Sequence, residues 1–175
     1  LNEFGEISLD EDLIQNGTPV RELYAGCICC SLAPILRKEI QTAVSEHRPD
    51  RLIIEPSGIG KLSDIAGVCV AEMDTETIVL VDLPTFEECA ESLGTFYLDQ
   101  IRYAGLLLFS GLDGIGDEQQ ADLVERVRAY NPDTLFYKGD WRELDRDGLL
   151  ALTRSIPVYK DRILAMPLIC SMSGR

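Results

Sequence analysis

The sequence predicts an α/β fold built on a doubly wound, mostly parallel sheet. Short apolar runs of four to six residues alternate with longer stretches in which apolar residues recur with helical spacing. A glycine or proline follows each apolar run and marks its end. The chain has 175 residues and is 46% hydrophobic, which is enough for one domain with a packed core.

Four runs are predicted to be strands. Each is almost continuously apolar, as expected for strands buried on both faces of a parallel sheet. The predicted strands are Leu52–Glu55, Thr77–Asp82, Gly105–Ser110 and Thr134–Tyr137.

Helices are predicted between these strands. Residues 33–47 carry one apolar stripe, residues 86–102 are helical in pattern with a break near Gly94, and residues 117–130 end at Asn131-Pro132. His47, the only histidine, lies near a helix end, where it suits the helix dipole better than a metal. We expect a domain over residues 1–147 and a tail of uncertain structure over 148–175, with a short helix near 149–155.

The charge of the chain argues against two classes of partner. Sixteen Lys and Arg against thirty Asp and Glu give 16 − 30 = −14, so we expect neither nucleic acid nor an anionic membrane as partner. Solubility alone is enough to explain most of these charges.

No apolar stretch approaches the ~20 residues of a membrane span, and no signal peptide is evident. The uneven spacing of the six cysteines favours a reducing cytoplasm over a disulfide framework.

Three of the six cysteines fall within four residues, at Cys27, Cys29 and Cys30. Three thiolates form a soft ligand set suited to Zn²⁺, Cu⁺ or Co²⁺, and Gly26 permits the turn that would bring them together. A carboxylate such as Glu3 or Glu6, a water or a second chain could be the fourth ligand. The alternative is that all three are core cysteines in an inert domain. The remaining three, Cys69, Cys89 and Cys170, are expected to be small buried hydrophobes.

Two acidic residues end predicted strands, and ligands of open α/β sheets bind at the carboxyl ends of the strands. Glu55 is followed by Pro-Ser-Gly, and Asp82 ends the next strand. A carboxylate there can hold Mg²⁺, and the N–H of Gly58 could donate to a phosphate oxygen. The competing interpretation is that these carboxylates cap a loop or helix.

Five motifs occur together and in order. They are Asn2-Glu3-Phe4-Gly5-Glu6, Gly26-Cys27-Ile28-Cys29-Cys30, Glu55-Pro56-Ser57-Gly58, Val81-Asp82 and Asn131-Pro132. Over residues 1–137 the chain resembles the CobW-type metal-chaperone GTPases, relatives of UreG and HypB. The resemblance implies a sheet of the P-loop NTPase type and a protein that couples GTP hydrolysis to delivery of a transition metal to a client protein. The metal would be zinc, or cobalt for cobalamin biosynthesis.

The resemblance also implies roles for individual residues. The three cysteines of the motif match the family's metal motif. Glu3, as a further metal ligand, and Glu6, on the nucleotide side, match an acidic switch segment that links metal to nucleotide. Glu55 and Gly58 match the catalytic E-x-x-G element near Mg²⁺ and the γ-phosphate of GTP.

Two elements of that family pattern differ in this sequence. No G-x-x-x-x-G-K-[ST] loop occurs, and Ser110-Gly111-Leu112-Asp113 stands where N-K-x-D should read guanine. Asp113 keeps its ability to accept from the guanine N1–H and N2–H₂ groups. Because the loop supplies most of the phosphate contacts, we expect the chain as given to be inactive as a GTPase, and we expect that an upstream strand and loop have been removed.

Two further expectations follow from the missing loop. A chain without nucleotide chemistry could be a non-catalytic metal-binding or regulatory module, which is the alternative to a GTPase. The strand that precedes the loop is central in such folds, so without it the sheet either closes up or keeps two unpaired edges. Unpaired edges favour pairing with another chain, and we therefore expect self-association.

Overall fold

The structure, a computed structural model, describes residues 32–56 and 61–157. Within these ranges it contains six α-helices and three strands. The helices are α1 (Leu32–His47), α2 (Leu62–Val70), α3 (Phe86–Leu93), α4 (Thr95–Tyr103), α5 (Asp117–Arg128) and α6 (Arg146–Arg154). The strands are β1 (Ile78–Asp82), β2 (Leu106–Ser110) and β3 (Leu135–Phe136).

The three strands form a parallel sheet in the order β1-β2-β3. Ile78 is paired with Leu106 and Asp82 with Ser110, so β1 and β2 end level with each other. Leu106 is in turn paired with Leu135 on β3. Because all three strands run the same way and helices connect them, the predicted α/β fold with a parallel sheet is confirmed.

Helices cover both faces of this sheet. On one face Val79 and Val81 of β1 and Leu107 of β2 pack with residues of α3, α4 and α5, including Ile101, into the largest apolar cluster. On the other face Leu106 and Leu108 pack with Ile156, Trp141 and Leu152, on and around α6. The sheet is therefore doubly wound, as the sequence predicts.

The prediction of a strand at Leu52–Glu55 is wrong. This segment is described without strand pairing, and Ile53 is 83% exposed. Leu52 and Ile54 pack instead against the apolar cluster between α1 and α2. An apolar run becomes a strand only when a neighbouring strand accepts its backbone hydrogen bonds, and among the described residues none lies beside it.

Two helix boundaries have clear local causes. After α1, Arg48 adopts a left-handed φ of 44°, its N–H donates to the carbonyl of Val44, and Pro49 then prevents continuation. Between α3 and α4, Gly94 has φ 52°, so the predicted break near Gly94 is confirmed. Helix α2 is not among the predicted helices, because it has only nine residues and contains Gly67, which disfavours a helix interior.

The described part of the predicted tail packs against the sheet. Helix α6 runs across position 147, Asp145 caps its N-terminus by accepting from the Gly148 N–H at 2.7 Å, and Ile156 is buried against β2. The division of the chain at residue 147 stays a prediction, since residues 158–175 lie outside the described part. None of the described helices combines the length and apolar character needed to cross a membrane.

Candidate functional site

The carboxyl edge of the sheet brings Asp82 together with Ser110. The hydroxyl of Ser110 donates to Asp82 Oδ1 at 3.3 Å, and the hydroxyl of Thr85 donates to Oδ2 at 2.7 Å. One hydrogen bond comes from the neighbouring strand and the other from the turn that follows β1. The carboxylate predicted to bind Mg²⁺ is therefore held at a fixed position at the strand end, where its oxygens are half-exposed to solvent.

Gly111 makes this arrangement possible. Its φ is 72°, in the region that favours glycine, and a Cβ there would lie 2.6 Å from Asp82 Oδ1 and 2.6 Å from Pro84 Cδ. Only a residue without a side chain lets the backbone after β2 pass this close to the carboxylate. Gly111 therefore allows the Ser110–Asp113 segment to lie against Asp82.

The surroundings of Asp82 disfavour additional negative charge. Burial first, and then the nearby Cys89 and Asp82, raise the pKa of Tyr97 to about 12. Tyr97 is thus a neutral hydroxyl over the physiological pH range.

Asp82, a single carboxylate with two hydroxyl partners, can hold Mg²⁺ through water. The described residues contain no cluster of three or more His, Cys, Asp or Glu that could hold a metal ion.

Asp113 lies at the same edge, in the 3-10 turn Leu112–Gly114 that follows β2. Its Oδ2 accepts from Arg142 Nη2 at 3.3 Å, and Arg142 in turn is bound to Asp140 by hydrogen bonds of 2.6 and 2.8 Å. Hydrogen bonding to Arg142 lowers the pKa of Asp140, and the two carboxylates, Asp140 first, raise the pKa of Arg142. Arg142 is a site residue that the sequence analysis missed, because nothing in the local pattern links residues 113 and 142.

Glu55 does not lie at the carboxyl edge of the sheet with Asp82 and Asp113. It is exposed in the segment before the gap at residues 57–60, and it makes no hydrogen bond or ion pair within the described ranges. It lines an open cleft of about 780 Å³ together with the outer edge of β1, including Ile78 and Leu80. The structure thus separates Glu55 from β1 by a cleft.

The second residue missed from sequence is Asp99 on α4. Its two carboxylate oxygens accept from the Ser63 N–H at 3.0 Å and from the Ser63 hydroxyl at 2.8 Å. Ser63 lies in the first turn of α2, so Asp99 caps that helix from another element. Helix α2 follows the Glu55–Gly58 motif, and this cap ties its start to α4.

A buried amide side chain stabilises the turn before β2. Asn131 is buried, and its side-chain amide donates to the carbonyls of Ile101 and Ala104 at 2.8 and 3.0 Å. Thr134 also donates to the carbonyl of Ala104, at 2.9 Å. The Asn131-Pro132 pair, interpreted from sequence as a helix end, therefore also anchors the turn from α4 into β2.

Several predicted site residues lie outside the described ranges. These are the metal ligands Cys27, Cys29, Cys30 and Glu3, the switch residue Glu6 and the phosphate-binding Gly58. Their roles stay predictions. Among the other cysteines, Cys69 is 4% exposed and burial raises the pKa of its thiol to about 11, as expected for an inert core residue. Cys89 is half-buried, and Cys170 lies outside the described residues.

Comparison with known proteins places these observations in a family context. The family described as "CobW/HypB/UreG, nucleotide-binding domain" matches residues 1–138. The zinc chaperone YjiA of Escherichia coli is 27% identical over 179 aligned positions, which cover 95% of this chain and 55% of YjiA. The zinc chaperone YeiR of the same organism is 35% identical over 72 residues, which cover 41% of this chain and 22% of YeiR.

A eukaryotic relative is also similar. The zinc-regulated GTPase metalloprotein activator 1 of Dictyostelium discoideum is 24% identical over 177 aligned positions, or 76% of this chain and 37% of the activator. The chain thus spans between about a fifth and somewhat more than half of the length of these relatives. No solved structure matches the chain.

Proposed function

This chain belongs to the CobW/HypB/UreG family of nucleotide-binding domains, and we propose from this premise that it acts as a zinc chaperone controlled by GTP. In this proposal Cys27, Cys29 and Cys30 bind Zn²⁺, with Glu3 as the fourth ligand, and the metal passes to a client metalloprotein in the cytoplasm. The names of three relatives refer to zinc, and this favours zinc over cobalt delivered for cobalamin synthesis.

One observation carries the proposal: a three-thiolate motif in a chain of this family. Thiolates bind Zn²⁺ tightly at about 2.3 Å, and four-coordinate sites use three cysteines and one further ligand. Because a thiol must lose its proton to bind, zinc binding releases protons and becomes weaker at low pH. Cys69 is unsuited to the site, since its burial keeps the thiol protonated.

The nucleotide side of the proposal is supported by the carboxyl edge of the sheet. There Asp82 would hold Mg²⁺ through water and Asp113 would accept from the guanine base. Glu55, which lies across the cleft from β1, and Gly58 keep the role near the terminal phosphate that the family resemblance implies. Glu6, in the acidic segment near the metal motif, would respond to bound nucleotide. GTP binding would then reshape the thiolate site, and hydrolysis would change its zinc affinity.

A second function is favoured by a specific sequence feature. Ser110-Gly111-Leu112-Asp113 stands where the family's N-K-x-D segment reads guanine, so the Asn and the Lys of that segment are replaced. A zinc-binding module without GTP hydrolysis would need only the cysteine motif. This alternative has the same metal site as the leading proposal, but GTP does not change the zinc affinity of that site.

Zinc stoichiometry tests the metal site that both functions share, and GTP turnover separates the two functions. We expect the 175-residue chain to bind one Zn²⁺ in equilibrium dialysis at pH 7.5, and the C27S/C29S/C30S variant to bind none. Cys89→Ser is the matched control and keeps the parent's stoichiometry. Unchanged zinc binding in the triple variant contradicts the metal site.

GTP turnover is then measured in a chimera that carries the P-loop strand of a family member ahead of Leu1. Turnover that changes on addition of Zn²⁺ supports the coupled chaperone. Zinc binding without any turnover, with or without Zn²⁺, supports the module instead.

We also propose that the chain self-associates through the outer edge of β1. Among the described strands β1 pairs only with β2, and Ile78 and Leu80 are 40% and 53% exposed. Residues 77–81 carry no charge and no proline that would prevent pairing. A second copy can add its own β1 to this edge, which covers Ile78 and Leu80 and satisfies the backbone groups that pair with no described strand.

A further inference from the structure

We infer that Arg142 reads the nucleotide base together with Asp113, an inference that rests on the proposed nucleotide site. Asp113 follows β2, and Arg142 lies in the 3-10 turn Trp141–Glu143, which follows β3. Because β2 and β3 are neighbouring parallel strands, the segments after them emerge at the same edge of the sheet. The contact between the two side chains joins these segments directly.

Arg142 is held in place from one side. Its Nε donates to Asp140 Oδ1 at 2.8 Å, its Nη2 donates to Asp140 Oδ2 at 2.6 Å, and its backbone N–H donates to Oδ1 at 2.9 Å. A guanidinium bound in this forked way has little rotational freedom left. Asp140 therefore orients Arg142 before any ligand arrives.

The pair keeps unused hydrogen-bonding capacity. Arg142 Nη2 reaches Asp113 Oδ2, but Arg142 Nη1 and Asp113 Oδ1 make no hydrogen bond within residues 32–56 and 61–157. The side chains of Arg142 and Asp113 are 58% and 89% exposed. The oriented guanidinium of Arg142, a donor, and the carboxylate of Asp113, an acceptor, thus lie side by side in solvent. They lie at the carboxyl edge of the sheet, where the nucleotide base is expected.

Guanine complements this pair of side chains. Its N1–H and N2–H₂ groups are adjacent donors that one carboxylate can accept, and the neighbouring O6 is an acceptor for a guanidinium N–H. Adenine has no carbonyl oxygen and no two adjacent N–H donor groups. Since Ser110 and Gly111 stand where the family has Asn and Lys, Arg142 would supply from the β3 side the cation that the 110–113 segment lacks.

The test uses the 175-residue chain and nucleoside monophosphates, which do not require a P-loop. Trp141 is the only tryptophan and adjoins Arg142, so its single indole N–H signal in a ¹H–¹⁵N spectrum reports on this site. GMP, AMP and 6-thio-GMP are titrated separately. The thio analogue keeps the two adjacent donors of guanine but replaces O6 by sulfur, a weak acceptor.

We expect GMP to bind more tightly than either analogue, by about tenfold. In Arg142→Met the affinity for GMP falls to that for 6-thio-GMP, while a preference over AMP remains. In Asp113→Ala the preference over AMP is lost. Arg146→Met, which removes the same charge from an exposed position in α6, leaves all three affinities as in the parent.

Two results overturn the inference. If Arg142→Met keeps the parent's preference for GMP over 6-thio-GMP, the Arg142–Asp113 contact is a surface ion pair only, and the proposed function stands. If the parent binds none of the three monophosphates up to millimolar concentration, both the inference and the guanine site are wrong. Zinc binding by the cysteine motif is measured independently and is not affected by either result.

Discussion

Asp99 on α4 accepts two hydrogen bonds from Ser63 in the first turn of α2, one from the backbone N–H at 3.0 Å and one from the hydroxyl at 2.8 Å. Lys61, at the N-cap position of α2, makes no capping hydrogen bond with its own side chain. The start of the helix that follows the Glu55–Gly58 motif is therefore fixed by a residue 36 positions away along the chain.

We expect Asp99→Ala to lower the free energy of unfolding by about 1 kcal/mol, because it leaves a helix N–H and a half-buried hydroxyl without a partner. Urea denaturation followed by circular dichroism measures the change. Asp64→Ala is the control, since Asp64 lies exposed in the same turn and makes no hydrogen bond within the described residues. Equal midpoints for parent and Asp99→Ala would show that the cap contributes nothing.

Gly111→Ala is expected to destabilise the fold by about 1–3 kcal/mol, because the new Cβ would collide with Asp82 and Pro84 at a φ of 72°. Gly114→Ala is the matched control three residues later. A Cβ at Gly114 meets no atom within 4 Å, so we expect a change below about 0.5 kcal/mol. The two variants are compared by thermal and urea unfolding, and a similar loss in both would contradict the close approach at Gly111.

Stability is expected to fall at alkaline pH, in part because of Cys69. The pKa of its thiol rises from 9.0 to about 11 on folding, because burial disfavours the thiolate. A raised pKa stabilises the folded state fully below pH 9, and this contribution is lost between about pH 9 and 11. Tyr97 adds a similar loss at higher pH, since burial raises its pKa from 10.0 to about 12.

Unfolding free energies measured from pH 7 to 11 test this expectation. The decline above pH 9 should be smaller in Cys69→Ala than in the parent, whatever the stability of that variant at neutral pH. Cys89→Ala serves as the control, because Cys89 is only half-buried. A decline of the same size in the parent and in Cys69→Ala would rule out Cys69 as its source.

Leu80→Lys is expected to reduce self-association, because it places a charge on the outer edge strand of the sheet. Leu80 is 53% exposed, so the substitution has little effect on the folded monomer. Sedimentation velocity over a range of concentrations measures the change. Leu149→Lys, at a 43% exposed position on α6, controls for general solubility. A parent that stays monomeric at high concentration would contradict the proposed pairing.

The strand ends at the candidate site could be predicted from local sequence. Asp82 was placed at a strand end because an uninterrupted apolar run precedes it, and the structure pairs it in register with Ser110. Asp113, which the family resemblance points to, lies in the turn after β2. Both strand ends are predictable because turn residues next to them in the chain mark them, whereas the binding roles of Asp82 and Asp113 stay predictions.

Contacts between distant segments could not be predicted in this way. Arg142 and Asp99 carry no local signal, since exposed charged residues are common on any surface and only the fold shows which ones meet. The error at Leu52–Glu55 has the same origin, because an apolar run of suitable composition still needs an adjacent strand before it can pair. Sequence pattern therefore identifies candidate strands and site residues, and tertiary packing decides which of them come into contact.

The amino-acid sequence by itself determined the parallel α/β order, the strand ends that carry Asp82 and Asp113, and the cysteine motif that supports a metal site. These features depend on residue type and on spacing along a single element. Only the tertiary structure decided that Leu52–Glu55 stays unpaired, that Asp99 caps α2 and that Arg142 binds Asp113. Each of these depends on which elements become neighbours, and hydrogen bonds between elements form only after the sheet and its helices have packed together.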